Sequence, residues 1–345
     1  MARSAGTRRS APTTPAPTGP ATDAGSPHHI PLRAWGPILR RAGRHVLGDR
    51  LQVASAGIAF FAILSIAPLL VTAVSVYGAV NTPAQALEQM SSLAGRLPPE
   101  LRSLVADQLT TITAASTQVN TFRGLTGLVF ALWTATTAAT YLIDALTHAY
   151  HESETRGFLH RTALALAIVL GGAVAVGAVI WVAGLIARAA DGAPEPVRLL
   201  VGVLAWPALA GVVAAGLSVL YRFAPDRTQA RWRWISGGAM LATLLWLGTS
   251  IALFAYVQSL DSYETTYGSL AGVAISMFWL WITVFLVIVG ASINAEAERQ
   301  TVRDSTVGPE QPLGARGAVV ADSAPPHPHA DPRRPVRSRH ARENP

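Results

Sequence analysis

Uncharged stretches long enough to cross a lipid bilayer dominate the hydrophobic pattern of this chain. The first runs from Leu51 to Leu87 without one charged side chain. A helix in water needs a polar face, and about 20 apolar residues cross the hydrocarbon core, so we predict a transmembrane helix over residues 53–80. Pro68 lies mid-span, where it removes a backbone donor and is expected to bend the helix. We expect Ser65 or a neighbouring helix to satisfy the carbonyl that Pro68 frees.

Five further uncharged runs follow, each bracketed by charged residues. They predict spans at residues 124–145, 162–187, 199–221, 234–260 and 265–295. Only Asp144, near the end of the second span, interrupts them. The predicted fold class is an all-α membrane protein, a bundle of six transmembrane helices with an amphipathic N-terminal helix and an outer helical cap.

The segments outside the spans have four different compositions. Residues 1–32 are rich in proline and small polar residues, which predicts a disordered tail. In residues 33–50 apolar positions are interspersed with arginines, which predicts an amphipathic helix on the membrane surface, its arginines facing anionic headgroups. In residues 81–122, apolar positions at helical spacing predict an outer cap. This cap is either a lid on the bundle or a helix that binds a partner. Residues 299–345 lack an apolar period and predict a second disordered tail.

Composition and charge agree with a polytopic membrane protein. Charged residues make up 14% of the chain, against an ordinary ~25%, and apolar residues make up 50%. All 27 basic residues are arginine, and near the membrane they concentrate before the first predicted span and after the second, fourth and sixth. The positive-inside rule therefore predicts that both termini are cytoplasmic.

The same distribution limits the partners that the basic charge implies. A pI of about 10.5 is compatible with nucleic-acid binding, but the arginines follow the membrane topology rather than one domain, so we predict anionic lipid headgroups and no nucleic acid as partners. Cysteine is absent, which excludes disulfides and thiolate metal sites. We see no P-loop motif in the soluble segments, so ATP-driven pumping by this chain alone is not expected, and no cofactor is predicted.

Small residues mark the places where helices are expected to touch. Gly268 and Gly272 form a GxxxG pair at the start of the sixth span. The third span holds several more glycines, Gly171, Gly172, Gly177 and Gly184. Glycine lets backbones approach closely in lipid, and this suits a compact bundle as well as a homo-oligomer.

Polar side chains at the cytoplasmic span ends predict an inner gate. The members of this candidate gate are Asp144, Tyr141, Arg222, Tyr221, Asn294 and Glu296. Ionisable groups are costly near lipid, so we predict that they converge, with Asp144 and Arg222 as an ion pair. The alternative is that residues at span ends extend to headgroup level without a transport role, and the sequence favours this alternative.

A cluster of histidines and carboxylates after the second span is the one candidate for metal chemistry. It comprises His148, His151, Glu152, Glu154 and His160. His148 and His151 are three residues apart and can share a helical face, which would suit a metal-dependent nuclease. The simpler interpretation is a solvated interfacial loop, which we favour because no fixed ligand spacing is visible.

Several motifs, in order along residues 40–298, resemble the YihY/BrkB membrane family. The most specific is the run Ala59 to Leu70, which contains Ser65 and Pro68. The other residues that carry the resemblance are Trp133, Tyr150, Arg156, Pro225, Tyr267, Gly268 and Gly290. The resemblance implies an inner-membrane protein. Members of the family have carried the label ribonuclease BN, and others are linked to serum resistance or discussed as lipid or solute exporters.

Three positions depart from the family's pattern. Phe60 stands where tyrosine is frequent, Ser292 where glutamate is common, and Thr147 where asparagine is common. Roles that depend on those polar groups are therefore not transferred to this chain.

Three functions follow as hypotheses. The first is a transporter or lipid translocator. Two groups of three spans suit an inverted repeat, Pro68 and Pro207 occupy corresponding places, and helix breaks at both would strengthen the case. The second is a membrane scaffold, which predicts a tightly packed bundle. The third and weakest is the nuclease.

Overall fold

The fold is a helical bundle in which six helices are long and apolar enough to cross a membrane. We analysed a computed structural model, which describes residues 24–80, 117–258 and 269–323. A short 3-10 turn at Pro27–His29 precedes the first helix. The helices are α1 (Leu32–Gly48), α2 (Leu51–Val80), α3 (Thr117–Ala149), α4 (Phe158–Asp191), α5 (Glu195–Phe223), α6 (Trp232–Gln258), α7 (Ser269–Glu298) and α8 (Val319–Asp322). The prediction of an all-α protein with six spans, α2 to α7, is confirmed.

The six long helices pack as a ring. Helix α2 packs on α3, α3 on α4, α5 on α6, α6 on α7, and α7 returns to α2. The contact between α4 and α5 is much lighter than the others in this ring. The ring is therefore weakest between α4 and α5.

Helices α2 and α5 run continuously through their internal prolines, Pro68 and Pro207. The helix breaks that would have supported an inverted repeat are therefore not seen at these two positions. The Ser65 hydroxyl donates to the carbonyl of Ala62, one turn earlier, at 2.6 Å. Near Pro68, α2 and α3 approach closely, because a Cβ on Gly127 of α3 would lie 3.2 Å from the Pro68 carbonyl oxygen.

Helix α1 packs on the bundle as well as presenting arginines outward. Its apolar residues recur every four positions, and Ile38, Ala42 and Val46 are buried. This face lies against α7, while Arg40 and Arg44 are exposed. The predicted surface helix is thus amphipathic, as expected, but its apolar face contacts protein.

Parts of both predicted tails, residues 24–32 and 299–323, pack on the bundle. Residues 24–31 include buried Ala24 and Ile30, and the Thr301 hydroxyl donates to the Ala24 carbonyl at 2.7 Å. The disorder predicted from residue 299 is wrong for 299–323, where Val320 is buried. The reason is tertiary: these segments have few apolar residues, but Ala24, Ile30 and Val320 pack into apolar clusters of the bundle, and polar contacts add to this packing. Of the predicted outer cap, residues 81–116 lie outside the described residues.

Candidate functional site

Four segments meet at one end of the bundle, which we call the base. They are α1 with the residues before it, the connections 150–157 and 224–231, and the segment 299–323. An antiparallel bridge joins Ala230 to Thr306, and the Thr228 amide donates to the Gly317 carbonyl at 3.1 Å. These contacts arise because an even number of spans brings both ends of the chain, and every second connection, to the same side.

A buried ion pair lies at the centre of the base. Arg227 and Glu298 form two hydrogen bonds, of 3.0 and 2.6 Å, with side chains only 2% and 1% exposed. Burial alone would lower the pKa of Arg227, but Glu298 raises it, and the net effect is a raised pKa. The guanidinium also lies over the Tyr150 ring, 5.1 Å from its centroid. The Ser305 hydroxyl donates to Glu298 as well, so this pair joins three of the four segments.

Buried Glu296 binds α1 to the bundle. Its carboxylate accepts from Arg41 at 2.6 Å and lies 3.1 Å from His151 Nε2 and 3.8 Å from Arg299. Arg41 additionally donates to Gln300 at 2.9 Å. Glu296 therefore has a structural partner from α1, from the α3 exit and from the end of its own helix.

Asn294 and Tyr221, two further members of the predicted gate, hold a helix crossing. The Asn294 side chain accepts from the Gly238 amide at 2.7 Å and donates to the Ile235 carbonyl at 2.8 Å. The Tyr221 hydroxyl donates to the Val287 carbonyl at 2.7 Å. At this crossing Gly238 faces the Gly290 carbonyl too closely for any side chain. A close approach through glycine therefore occurs between α6 and α7, at glycines for which no contact was predicted. A Cβ on the α4 glycines, where contact was predicted, would meet no described atom within 4 Å.

The predicted ion pair between Asp144 and Arg222 is wrong. Asp144 pairs with Arg161 at 3.1 Å, because the short connection after α3 brings the start of α4 beside the end of α3. Arg222 donates to the Ala230 carbonyl at 2.7 Å, and its guanidinium lies 4.6 Å from the centre of the Trp232 ring. Tyr141 is exposed and contacts only the Phe61 ring among the described aromatic residues. The six predicted residues thus do not converge on one gate.

Arg156 and Pro225, two further residues that carry the family resemblance, lie in the connections of the base. Arg156 forms a two-bond pair with Glu154, donates to the Ala224 carbonyl at 2.8 Å and lies 3.7 Å from Asp226. Pro225, next to Ala224, begins the turn in which its carbonyl accepts from the Arg227 amide. Of the other residues that carry the resemblance, Trp133 is exposed beside Phe130, whereas Tyr267 and Gly268 lie outside the described residues.

Three of the five histidines and carboxylates that suggested a nuclease, Glu154, Glu152 and His151, have separate polar partners. Glu154 binds Arg156, and Glu152 accepts from the Val319 amide at 2.6 Å. Burial raises the pKa of Glu152. His151 faces Glu296, and in the described part of the chain no three His, Asp or Glu residues are placed to hold a metal ion.

Sequence reasoning missed several residues that organise the base. It counted Arg227 and Arg41 only as topological charges and did not name Glu298 or His45. Arg316, assigned to a disordered tail, is buried and donates to four backbone carbonyls, those of Val302, Arg303, Gln311 and Ala321. The one available signal was a glutamate directly after an apolar span, because such a charge needs a partner.

Comparison with known proteins places the chain in a family. The family described as virulence factor BrkB matches residues 42–314. This chain belongs to the BrkB family. Its relatives include a putative ribonuclease-like protein, YfkH, of Bacillus subtilis, 30% identical over 49% of this chain and 63% of the relative. They also include UPF0761 membrane proteins of Delftia acidovorans (24% identical) and Verminephrobacter eiseniae (25%), each over 77% of this chain and 62% of the relative.

The BrkB match includes the connections 150–157 and 224–231 of the base, but it leaves out the residues before α1, the first ten residues of α1 and residues 315–323. The chain spans less than two thirds of the length of the curated relatives that it matches. No solved structure matches it.

Proposed function

We propose that this BrkB-family chain is a multi-pass protein of the bacterial cytoplasmic membrane that translocates a lipid or small solute. Its base would be cytoplasmic, since the arginine distribution predicts that both termini are inside. The observation that carries the proposal is the small buried fraction of α4 and α5.

Helices α4 and α5 are exposed on nearly every face. In the most apolar 18-residue stretch of each of these helices, only 6% of the residues are buried, against 22% in α2 and 28% in α3. A helix in a closed, packed ring buries its inner face and exposes only the face toward lipid. Exposure all round therefore supports an open space between α4, α5 and the rest of the ring, where a tightly packed scaffold would bury these faces.

Polar and aromatic residues lie along one side of α3. Thr137, Tyr141 and Asp144 recur at helical spacing, and each is partly or fully exposed. Asp144 pairs with Arg161 of α4, with both side chains about one third exposed, at 36% and 30%. We propose that this stripe lines the substrate path and that the Asp144–Arg161 pair stands at its inner end.

Anionic lipid headgroups are the proposed partners of the base. Arg33, Arg40 and Arg44 are exposed on α1. Arg222 has no carboxylate partner among the described residues and lies against Trp232, whose ring is itself half exposed. A guanidinium on an aromatic residue at a span end is well placed for a lipid phosphate. The homo-oligomer that the glycines would suit stays a prediction.

We propose that the chain is not a nuclease, since three of the five residues that suggested one, Glu154, Glu152 and His151, are engaged as partners of Arg156, Val319 and Glu296. The name of the Bacillus subtilis relative describes that protein.

The decisive experiment is flux of labelled lipids and small solutes through purified protein in vesicles. Asp144→Asn and Arg161→Gln should each lower flux, because each removes one partner of the same pair. Arg222→Gln tests the headgroup contact, and Arg198→Gln, an exposed arginine at the opposite end of α5, is the matched control. Absence of flux for every class tested would overturn the proposal in favour of a scaffold.

A further inference from the structure

Three imidazoles stack where α1 meets the exit of α3. The ring of His45 in α1 lies 5.7 Å, centroid to centroid, from His148 at the end of α3. It lies 4.1 Å from the ring of His151 in the following connection. The stack joins segments about 100 residues apart in the sequence, so it is a tertiary contact between α1 and the base.

Carboxylates on both sides of the stack are shared. One oxygen of Asp49, at the end of α1, lies 2.9 Å from His45 Nδ1 and 3.1 Å from His148 Nε2. On the other side, His151 Nε2 lies 3.1 Å from Glu296. The single negative charge of Asp49 is therefore shared by two imidazoles.

Glu296 has little charge left to balance a third histidine. Its carboxylate already binds Arg41 of α1 at 2.6 Å and lies 3.8 Å from Arg299. The charged groups facing the stack are thus two arginines and two carboxylates, from α1, α7 and the residues just after them, which together are neutral. His45 Nε2 also lies 3.2 Å from the His148 carbonyl oxygen. A proton on His45 therefore adds positive charge to a cluster that is already balanced.

The backbone of His151 is also unusual. It has a φ of +59°, in the left-handed region that favours glycine. The His151 amide donates to the His148 carbonyl at 2.8 Å, and the Glu152 amide donates to the Thr147 carbonyl at 3.0 Å, closing the end of α3. This strained position directs the imidazole between His45 and Glu296.

We propose that the His45–His148–His151 stack is an acid-sensitive latch that holds α1 on the base near neutral pH and releases it in acid. Burial, and then the neighbouring His151, lower the pKa of His45. A histidine with a lowered pKa binds protons better once it is released, so the closed state is stable above the ordinary value of about 6.5 and is lost below it. Each titrating histidine changes the ratio of open to closed chains by at most about tenfold per pH unit.

A distance measurement tests the latch in the full chain. The protein has no cysteine, so spin labels at Arg40→Cys and Ser153→Cys, both exposed, report only the separation of α1 from the α3 exit. In lipid nanodiscs we expect one short distance at about pH 8 and a longer, broader distribution at about pH 5. An unchanged distribution would overturn the proposal, whether or not the chain transports anything.

Matched variants connect the response to the stack. A triple variant with His45→Gln, His148→Gln and His151→Asn should stay closed at both pH values, and asparagine tolerates the left-handed backbone. His160→Gln, an exposed histidine outside the stack, should open like wild type. If the triple variant opens as wild type does, the stack is not the latch.

A single substitution covers the case in which the triple variant does not fold. His148→Gln alters one partly exposed ring and should move the opening midpoint to lower pH. An unchanged midpoint in this variant would equally reject the latch.

Discussion

The base and the α4–α5 hairpin use opposite means of holding a helix in place. In the base, buried charges such as Glu296 and Glu298 are paired with arginines from other segments of the chain. In the hairpin, most apolar side chains are exposed and the two helices touch only lightly. The comparison teaches that the fixed geometry of this chain lies at one end of the bundle.

The energetic difference follows from the surroundings. A charge that is buried in protein must keep its partner, so the contacts of the base specify one arrangement of segments. Apolar helices in lipid gain little from each other's apolar surface, because lipid tails are as apolar as leucine. If the chain translocates a substrate as proposed, the hairpin is the part expected to change its separation from the ring, while the base stays assembled near neutral pH.

The largest expected effect is loss of the buried pair in the base. Glu298→Ala leaves Arg227 buried without its carboxylate, which should lower the free energy of unfolding by about 3–5 kcal/mol. The measurement is denaturant-induced unfolding in detergent micelles. Arg161→Gln, which breaks a partly exposed pair, is the control and should cost about 0–1 kcal/mol. Equal losses in the two variants would mean that the base is not the rigid end.

The next effect concerns the crossing of α6 and α7. A Cβ on Gly238 would clash with the Gly290 carbonyl and would lie 2.5 Å from the Asn294 side chain. Gly238→Ala should therefore cost about 1–3 kcal/mol through overpacking. Gly237→Ala is matched, because its new Cβ would lie 3.7 Å from Pro27, at an ordinary contact distance. A Gly238→Ala protein as stable as the Gly237→Ala protein would contradict the crossing.

Two neighbouring glutamates of the base should respond to acid with opposite signs. The hydrogen bond from Arg156 holds the pKa of Glu154 below its usual range, so its stabilisation is present above the ordinary value and is lost as pH falls. Burial raises the pKa of Glu152, so its contribution becomes more favourable as pH falls. Glu154→Gln should therefore weaken the loss of stability below about pH 5, and Glu152→Gln should strengthen it.

Unfolding midpoints at several pH values between about 4 and 7 measure this response. The two variants serve as controls for each other, since both replace a carboxylate by an amide in the same connection. Changes of the same sign in both would contradict the assigned surroundings.

The sequence predicted the spans well because their signal is local. An uncharged run such as 162–187 has one stable solution in lipid, and the structure places it within α4. The partners of charges were not predictable in this way. Asp144 pairs with Arg161 rather than with Arg222 because the start of α4 lies beside the end of α3. The pattern of charges in the sequence does not specify that placement.

The ordered part of 299–323 was missed for a related reason. Its order depends on contacts such as Arg316 with four carbonyls and Glu152 with the Val319 amide. Composition reports how much apolar surface a segment can bury alone, whereas this segment is held by hydrogen bonds within itself, such as those of Arg316, and by contacts with other segments, such as that of Val319 with Glu152. Family resemblance pointed to Arg156, but not to its neighbours in space.

The smallest expected effect is in the hairpin itself. A Cβ on Gly171 of α4 would meet no atom of the described residues within 4 Å, so Gly171→Ala should be neutral or stabilise the helix by up to about 1 kcal/mol. Gly127→Ala in α3 is the control in the same membrane environment, since its Cβ would lie 3.0 Å from the Thr72 hydroxyl, and it should be the less stable variant. Unfolding in micelles compares the two. If Gly171→Ala instead destabilised the protein and changed its mass by light scattering, a second copy would occupy this face, and the open space between α4, α5 and the ring would be an interface between chains.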